Sequence, residues 1–101
     1  MHYYNPMYPK FYYTIGIKNF IEKHEASWIT DYIFSLQLKK KIRQEPFQSW
    51  VFKVKDNKCN VEVTDGNRKS LYKGKIPFTD LEDGTYKFWF VDNVLLLPEE
   101  Y

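Results

Sequence analysis

Apolar residues recur at two different periods along the chain, and the change falls at Pro46. Upstream the spacing is helical. Ile15, Ile17, Phe20 and Ile21 alternate with Lys18, Asn19, Glu22 and Lys23 as in a short amphipathic helix, and Thr14 is the residue type that caps one. Trp28, Ile29, Tyr32, Ile33, Leu36 and Leu38 then form a broad apolar stripe, predicting a longer helix capped by Ser27. That helix is expected to end in Lys39, Lys40, Lys41 and Arg43, cations suited to the negative end of the helix dipole, with Pro46 blocking continuation.

Downstream of Pro46 the period is two. Trp50, Phe52 and Val54 alternate with Val51, Lys53 and Lys55, and Cys59, Val61 and Val63 alternate with Asn60, Glu62 and Thr64, which predicts half-buried strands. The short connection Asp56-Asn57-Lys58 suits a hairpin, and Asp65-Gly66-Asn67 suits a second tight turn into a strand around Leu71 to Ile76. Tyr86, Phe88 and Phe90, alternating with Thr85, Lys87, Trp89 and Val91, make a fourth strand, and Asp92-Asn93 turns into a fifth at Val94 to Leu97. Residues 1–13 show neither period, and Pro6 and Pro9 disfavour regular pairing; they read as an irregular aromatic and proline arm. The rings of Tyr3, Tyr4, Tyr8, Phe11, Tyr12 and Tyr13 carry too much apolar area to leave in water, so the arm is expected to pack on the body or on a partner.

The expected fold class is therefore α+β, with two N-terminal helices packed on one face of an antiparallel meander sheet of four to five strands. Parallel crossovers are not expected. Residues 14–101 form one α+β domain and residues 1–13 the arm, as suits a chain of 101 residues. An aromatic content of 20 % argues against disorder. The N-terminus lacks the apolar region of a signal peptide, Cys59 is the only cysteine, and no apolar run approaches the length of a membrane span, which together predict a cytoplasmic chain with no membrane contact.

Charge is distributed unevenly. From Leu38 to Lys75 eleven bases face four acids, a local charge of +7, whereas from Ile76 to Tyr101 Lys87 alone faces six acids, a local charge of −5. The basic segment with its interleaved rings suits a phosphate backbone, and its candidate binding residues are Lys39, Lys40, Lys41, Arg43, Lys53 and Lys55, then Arg68, Lys69, Lys73 and Lys75. Tyr72 and Trp89 are candidate anchoring rings, equally suited to a protein partner. The plainer account is that lysines solvate the outer face of a half-exposed sheet and protect its edges.

Chemistry lacks its parts. The histidines are His2 and His24, and a strand cysteine alternating with Val61 and Val63 reads as core, so a catalytic Cys59–His24 pair is not expected. One cysteine and two histidines do not build a structural zinc site, and the glycines 16, 66, 74 and 84 are too scattered for a phosphate-cradling loop, so no metal or cofactor is expected. Asp80, Glu82 and Asp83 lack the calcium-loop pattern and read as turn chemistry.

Four stretches carry a resemblance: Tyr12-Tyr13-Thr14, Ala26-Ser27-Trp28-Ile29-Thr30-Asp31, Phe47-Gln48-Ser49-Trp50, and Phe78-Thr79-Asp80-Leu81 with the close Val94-Leu95-Leu96-Leu97-Pro98-Glu99-Glu100-Tyr101. In these the chain resembles a family of small bacterial, plasmid and phage proteins of unknown function, from which it departs in the Tyr/Pro arm and the lysine-rich run after the second helix. The resemblance supplies no catalytic residue. It implies a mobile-element setting, where small proteins inhibit host defence. The expected function is a non-enzymatic binding protein of anti-CRISPR type, engaging an RNA-guided ribonucleoprotein effector or its RNA. The alternatives are a small enzyme using Cys59 or His24, or an accessory protein that oligomerises through the arm.

Overall fold

The strand period after Pro46 is obeyed through Phe47–Lys55, Lys58–Thr64 and Gly84–Val91 in the computed structural model, which describes residues 3–5 and 8–101; it breaks at Leu71-Tyr72, where the register shifts, and at Leu95-Leu96, which are both buried. The elements are β1 (Tyr3–Asn5), β2 (Tyr8–Tyr13), α1 (Ile15–His24), α2 (Trp28–Leu36), α3 (Lys40–Arg43), β3 (Phe47–Lys55), β4 (Lys58–Thr64), β5 (Ser70–Ile76), β6 (Gly84–Val91) and β7 (Val94–Leu96), followed by a 3-10 turn at Pro98–Glu100. The hairpins form where short polar residues tolerate the left-handed region. Asp56 and Asn57 have φ of +52° and +63°, and Asp92 and Asn93 +49° and +68°, the positive pair that matches the twist of two antiparallel strands.

The sheet departs from the expected meander of four to five antiparallel strands. It has seven strands in the order β1-β2-β7-β6-β3-β4-β5, and it is mixed. β3, β4 and β5 do meander, but β6 returns to the far side of β3, and β7 runs parallel to β2 with Tyr12 opposite Val94 and Tyr13 opposite Leu95. Tyr12 N–H donates to Asn93 O (2.9 Å) and Thr14 N–H to Leu95 O (3.1 Å), so the parallel pair joins the two ends of the chain. Residue period reports which face a strand buries and nothing about a neighbour eighty residues away, which is why this pairing escaped the sequence pattern. The residues read as an irregular arm include β1 and β2 for the same reason. Pro9 falls where the β1–β2 register shifts, the kind of position at which a strand tolerates proline. Pro6 and His2 lie outside the described residues.

The helices cover one face. Thr14 caps α1 as its type suggests, its Oγ1 accepting from Ile17 N–H (3.3 Å), and Glu25 closes it in the left-handed region. Ser27 does not cap α2: it is already helical (φ −58°, ψ −23°), and it is Thr30 Oγ1 that donates to its carbonyl (2.8 Å). The long second helix also breaks earlier than expected. α2 ends at Leu36, where the buried Gln37 donates to both Ile33 O (3.2 Å) and Gln48 Oε1 (2.9 Å), and the lysine run becomes the separate α3. Leu38, expected in the stripe, is left 77 % exposed.

Between the layers Ile17, Ile29, Ile33, Phe34 and Ile42 meet Trp50, Phe52, Val61, Val63, Phe88 and Phe90 in one core. Each large side chain taken fully out of water contributes about 1.5–3 kcal/mol. A reciprocal amide pair crosses it: Gln48 Nε2 donates to Gln37 Oε1 (2.9 Å) and to the carbonyl of Ile42 (2.9 Å), and Trp50 Nε1 donates to Gln48 Oε1 (3.1 Å). No buried side-chain polar atom among the described residues lacks a partner.

Candidate nucleic-acid interface

Among the described residues α1, α2 and α3 lie on the first face of the sheet, and the register decides what the second face carries. Val51 stands opposite both Glu62 and Lys87, and Glu62 opposite Lys73, so Lys87, Val51, Glu62 and Lys73 form one row across four strands. One step along, Thr85, Lys53, Asn60 and Lys75 form the next row, and Lys55 opposite Lys58 closes the β3–β4 hairpin. Six lysines, at 53, 55, 58, 73, 75 and 87, therefore share one face, all exposed, with Glu62 as the acid among them. Glu62 reaches Lys73 at 4.0 Å, an exposed pair of little energetic weight. A shallow depression of about 560 Å³ lies over these rows, lined by Val51, Lys53, Asn60, Glu62, Lys73 and Lys75.

Of the residues singled out in the sequence, the fold brings Lys53, Lys55, Lys73 and Lys75 together here. Arg68 and Lys69 stand in the turn before β5, where Asp65 Oδ1 accepts from the backbone of Asn67 (2.8 Å) and Lys69 (3.3 Å). Lys39, Lys40, Lys41 and Arg43 are on or just before α3, in the helical layer beside β5, so they are not on the open face. Tyr72 is away from the open face as well. Opposite Val63, it points to the helical side, half-buried, with Lys39 Nζ 5.9 Å from its ring centre. Trp89 is on the open face, held edge to face between Phe47 (5.1 Å) and Tyr101 (5.5 Å). Lys58 and Lys87, which were not among the candidates, share this face. Their signal was present in the alternation: Lys87 lies between the inward Tyr86 and Phe88, and Lys58 precedes the inward Cys59.

The residues weighed for chemistry are apart. Cys59 is buried in β4 opposite Val54 and Ile76, and burial raises its thiol pKa, which keeps it protonated. His24 packs on Phe20 (4.5 Å) and Tyr86 (6.2 Å) at the end of α1. The Tyr32 hydroxyl lies under Gly74, where a Cβ would come within 2.5 Å of it, and burial followed by the neighbouring Tyr72 hydroxyl pushes its pKa well up. Among the described residues no three histidine, cysteine or carboxylate side chains gather as a metal site would require. No helix among them is long and apolar enough to cross a membrane.

A family model matches residues 1–101, the whole chain. The chain belongs to the DUF6876 family, a family of unknown function. No curated protein and no solved structure matches it. In this DUF6876 chain the four stretches singled out in the sequence do structural work. Gln48 and Trp50 build the buried amide network. Thr79 N–H donates to Asn57 O (2.8 Å) while its Oγ1 accepts from Leu81 N–H (3.2 Å), fixing the loop before β6. Glu100 accepts from Thr14 Oγ1 (2.6 Å), Gly16 N–H (3.1 Å) and Leu97 N–H (2.8 Å), capping α1 from the far end of the sequence. Gly16 has to be small for this, since a Cβ there would sit 2.5 Å from the Glu100 carboxylate. The lysine rows have no such part in the fold.

Proposed function

We infer that the chain is a non-enzymatic binding protein whose open sheet face takes the phosphate backbone of an RNA. The observation that carries this reading is the set of six exposed lysines on one uncovered face with Glu62 as their acidic neighbour. Point charges of one sign on a low-dielectric sheet attract a polyanion and release its counterions. The basic residues at the start of β5 and on α3 extend the positive field around that edge, so they steer an RNA without touching it on the open face. In a mobile-element setting the RNA would belong to an RNA-guided host-defence effector, and occupying it would make the chain an inhibitor.

The enzymatic alternative has less to stand on. Cys59 is buried with a thiol held protonated, and His24 is packed between rings on another part of the fold.

A salt titration of RNA binding by the full chain tests the reading. The logarithm of affinity is expected to fall linearly with the logarithm of salt, and each engaged lysine removed, as in Lys53→Ala or Lys75→Ala, to lower the slope by about 0.7–0.9. Absence of binding at low salt would return the lysines to plain solvation. Capture of the chain from plasmid- or phage-bearing cells with no effector complex and no RNA would remove the defence-inhibitor form.

A further inference from the structure

The open face has two halves, and only one of them is basic. Next to the Lys87–Val51–Glu62–Lys73 row lies one in which Trp89 stands opposite Leu96 on one side and Ser49 on the other, with Phe47 and Tyr101 against its ring. Tyr101 is 78 % exposed and touches Trp89 at an interplanar angle of 72°, so most of its ring is left in water. Trp89 and Lys87 are two residues apart on β6 and share a face, so their Cα atoms lie about 7 Å apart along the strand.

We propose that this face holds a single-stranded stretch of nucleic acid, its phosphates over the lysines of β3, β4 and β5 and its bases stacked on Trp89 and Tyr101. The inference rests on the polyanion reading above and deepens it by fixing the strandedness of the ligand. A duplex hides the faces of its bases and offers phosphates alone, which would leave the aromatic row without a use; an unpaired strand offers a negative backbone and free base faces side by side. Neither group type reads base edges. Lysine acts as a point charge and an aromatic ring stacks on any base, so binding tolerates sequence. A second copy of the chain fits the face poorly, because pairing two such faces would set like-charged lysine rows against each other.

The test uses the full chain with three probes of equal length: a single-stranded RNA dodecamer, the same strand in a duplex, and an abasic dodecamer that keeps the phosphates and lacks the bases. The single strand is expected to bind about tenfold more tightly than the abasic one and to quench Trp89 fluorescence. Tyr101→Ala, at an exposed ring, is expected to cost about tenfold against the single strand and nothing against the abasic probe. Lys75→Ala is expected to weaken both. Trp89→Leu should behave as Tyr101→Ala does, with circular dichroism confirming that it folds. Equal affinity for all three probes with a silent Tyr101→Ala would overturn the inference and leave the polyanion reading standing. Binding of none would overturn both. A concentration-dependent dimer abolished by Tyr101→Ala, with RNA affinity unchanged, would overturn it in favour of a second copy on the aromatic row.

Discussion

The two faces of the sheet are cut from the same strands, and alternate residues of one segment serve opposite ends. In β3, Trp50 and Phe52 are fully buried under the helices, while Val51 between them and Lys53 just after look out over the other surface. The covered face is closed by jigsaw packing of rings and branched side chains, and even its polar members, Gln37 and Gln48, are satisfied by one another. The open face contributes nothing comparable to the core. Its lysines meet water, and the Lys73–Glu62 ion pair within it is a 4.0 Å surface contact. On the binding reading proposed above, stability and binding are separated by a residue step of one, and substitutions on the two sides should divide cleanly between folding and affinity.

The sharpest break of that comparison is a neighbouring pair. Phe52→Ala leaves a cavity beneath Trp28, Tyr32 and Phe88 and is expected to cost about 3–5 kcal/mol in urea unfolding, whereas Lys53→Ala should stay within about 0.5 kcal/mol. Comparable losses at the two positions would mean that the open face is packed after all. Next in size is Gln48→Ala, which leaves Gln37 Oε1 and the Trp50 indole N–H without partners inside the core, Gln37 Nε2 keeping the carbonyl of Ile33. A loss of about 3 kcal/mol is expected, and a change under about 1 kcal/mol would show that water replaces the amide there.

What the sequence disclosed follows the same division. Period two placed the inward and outward residues of β3, β4 and β6 on the right faces, and Thr14, Asp56-Asn57 and Asp92-Asn93 act as their chemistry suggests, because these are local properties of a few adjacent residues. The parallel β2–β7 pair, the return of β6 to β3 and the sheet strands within residues 1–13 depend on contacts between distant segments, on which local alternation is silent. The candidate site was half legible for the same reason. Charge counted along the chain gathered Lys39 to Arg43 with Lys53 to Lys75, although α3 belongs to the helical layer. The same count set Lys87 among the acids of the last third, although β6 carries it into the row of Lys73.

Smaller effects sharpen the boundary between the faces. Glu100 joins the 3-10 turn to the first turn of α1 through two hydrogen bonds, from Thr14 Oγ1 and Gly16 N–H, and closes its own turn by accepting from Leu97 N–H. Glu100→Ala is expected to cost about 1–2 kcal/mol and to expose α1 preferentially in hydrogen exchange, with RNA affinity unchanged at folded concentrations. Loss of affinity in parallel with stability would tie the Tyr101 ring, and with it the aromatic row, to the seating of this turn.

The smallest expected effect lies at the edge where the two faces meet. Tyr32 reaches from α2 to β5, its hydroxyl beside that of Tyr72 and under Gly74, and its pKa is raised above the ordinary tyrosine value first by burial and then by the Tyr72 hydroxyl. A group whose folded pKa exceeds its unfolded one holds more protons in the folded state across the interval between them. Its contribution to stability is therefore complete below about pH 10 and is lost as the pH climbs toward the folded value. Wild-type stability should fall more steeply above about pH 10 than that of Tyr32→Phe, the two curves converging from a gap of under about 1 kcal/mol at neutral pH. Parallel curves would show Tyr32 ionising as it does in the unfolded chain, and would place the rim of β5 in contact with water rather than inside the covered face.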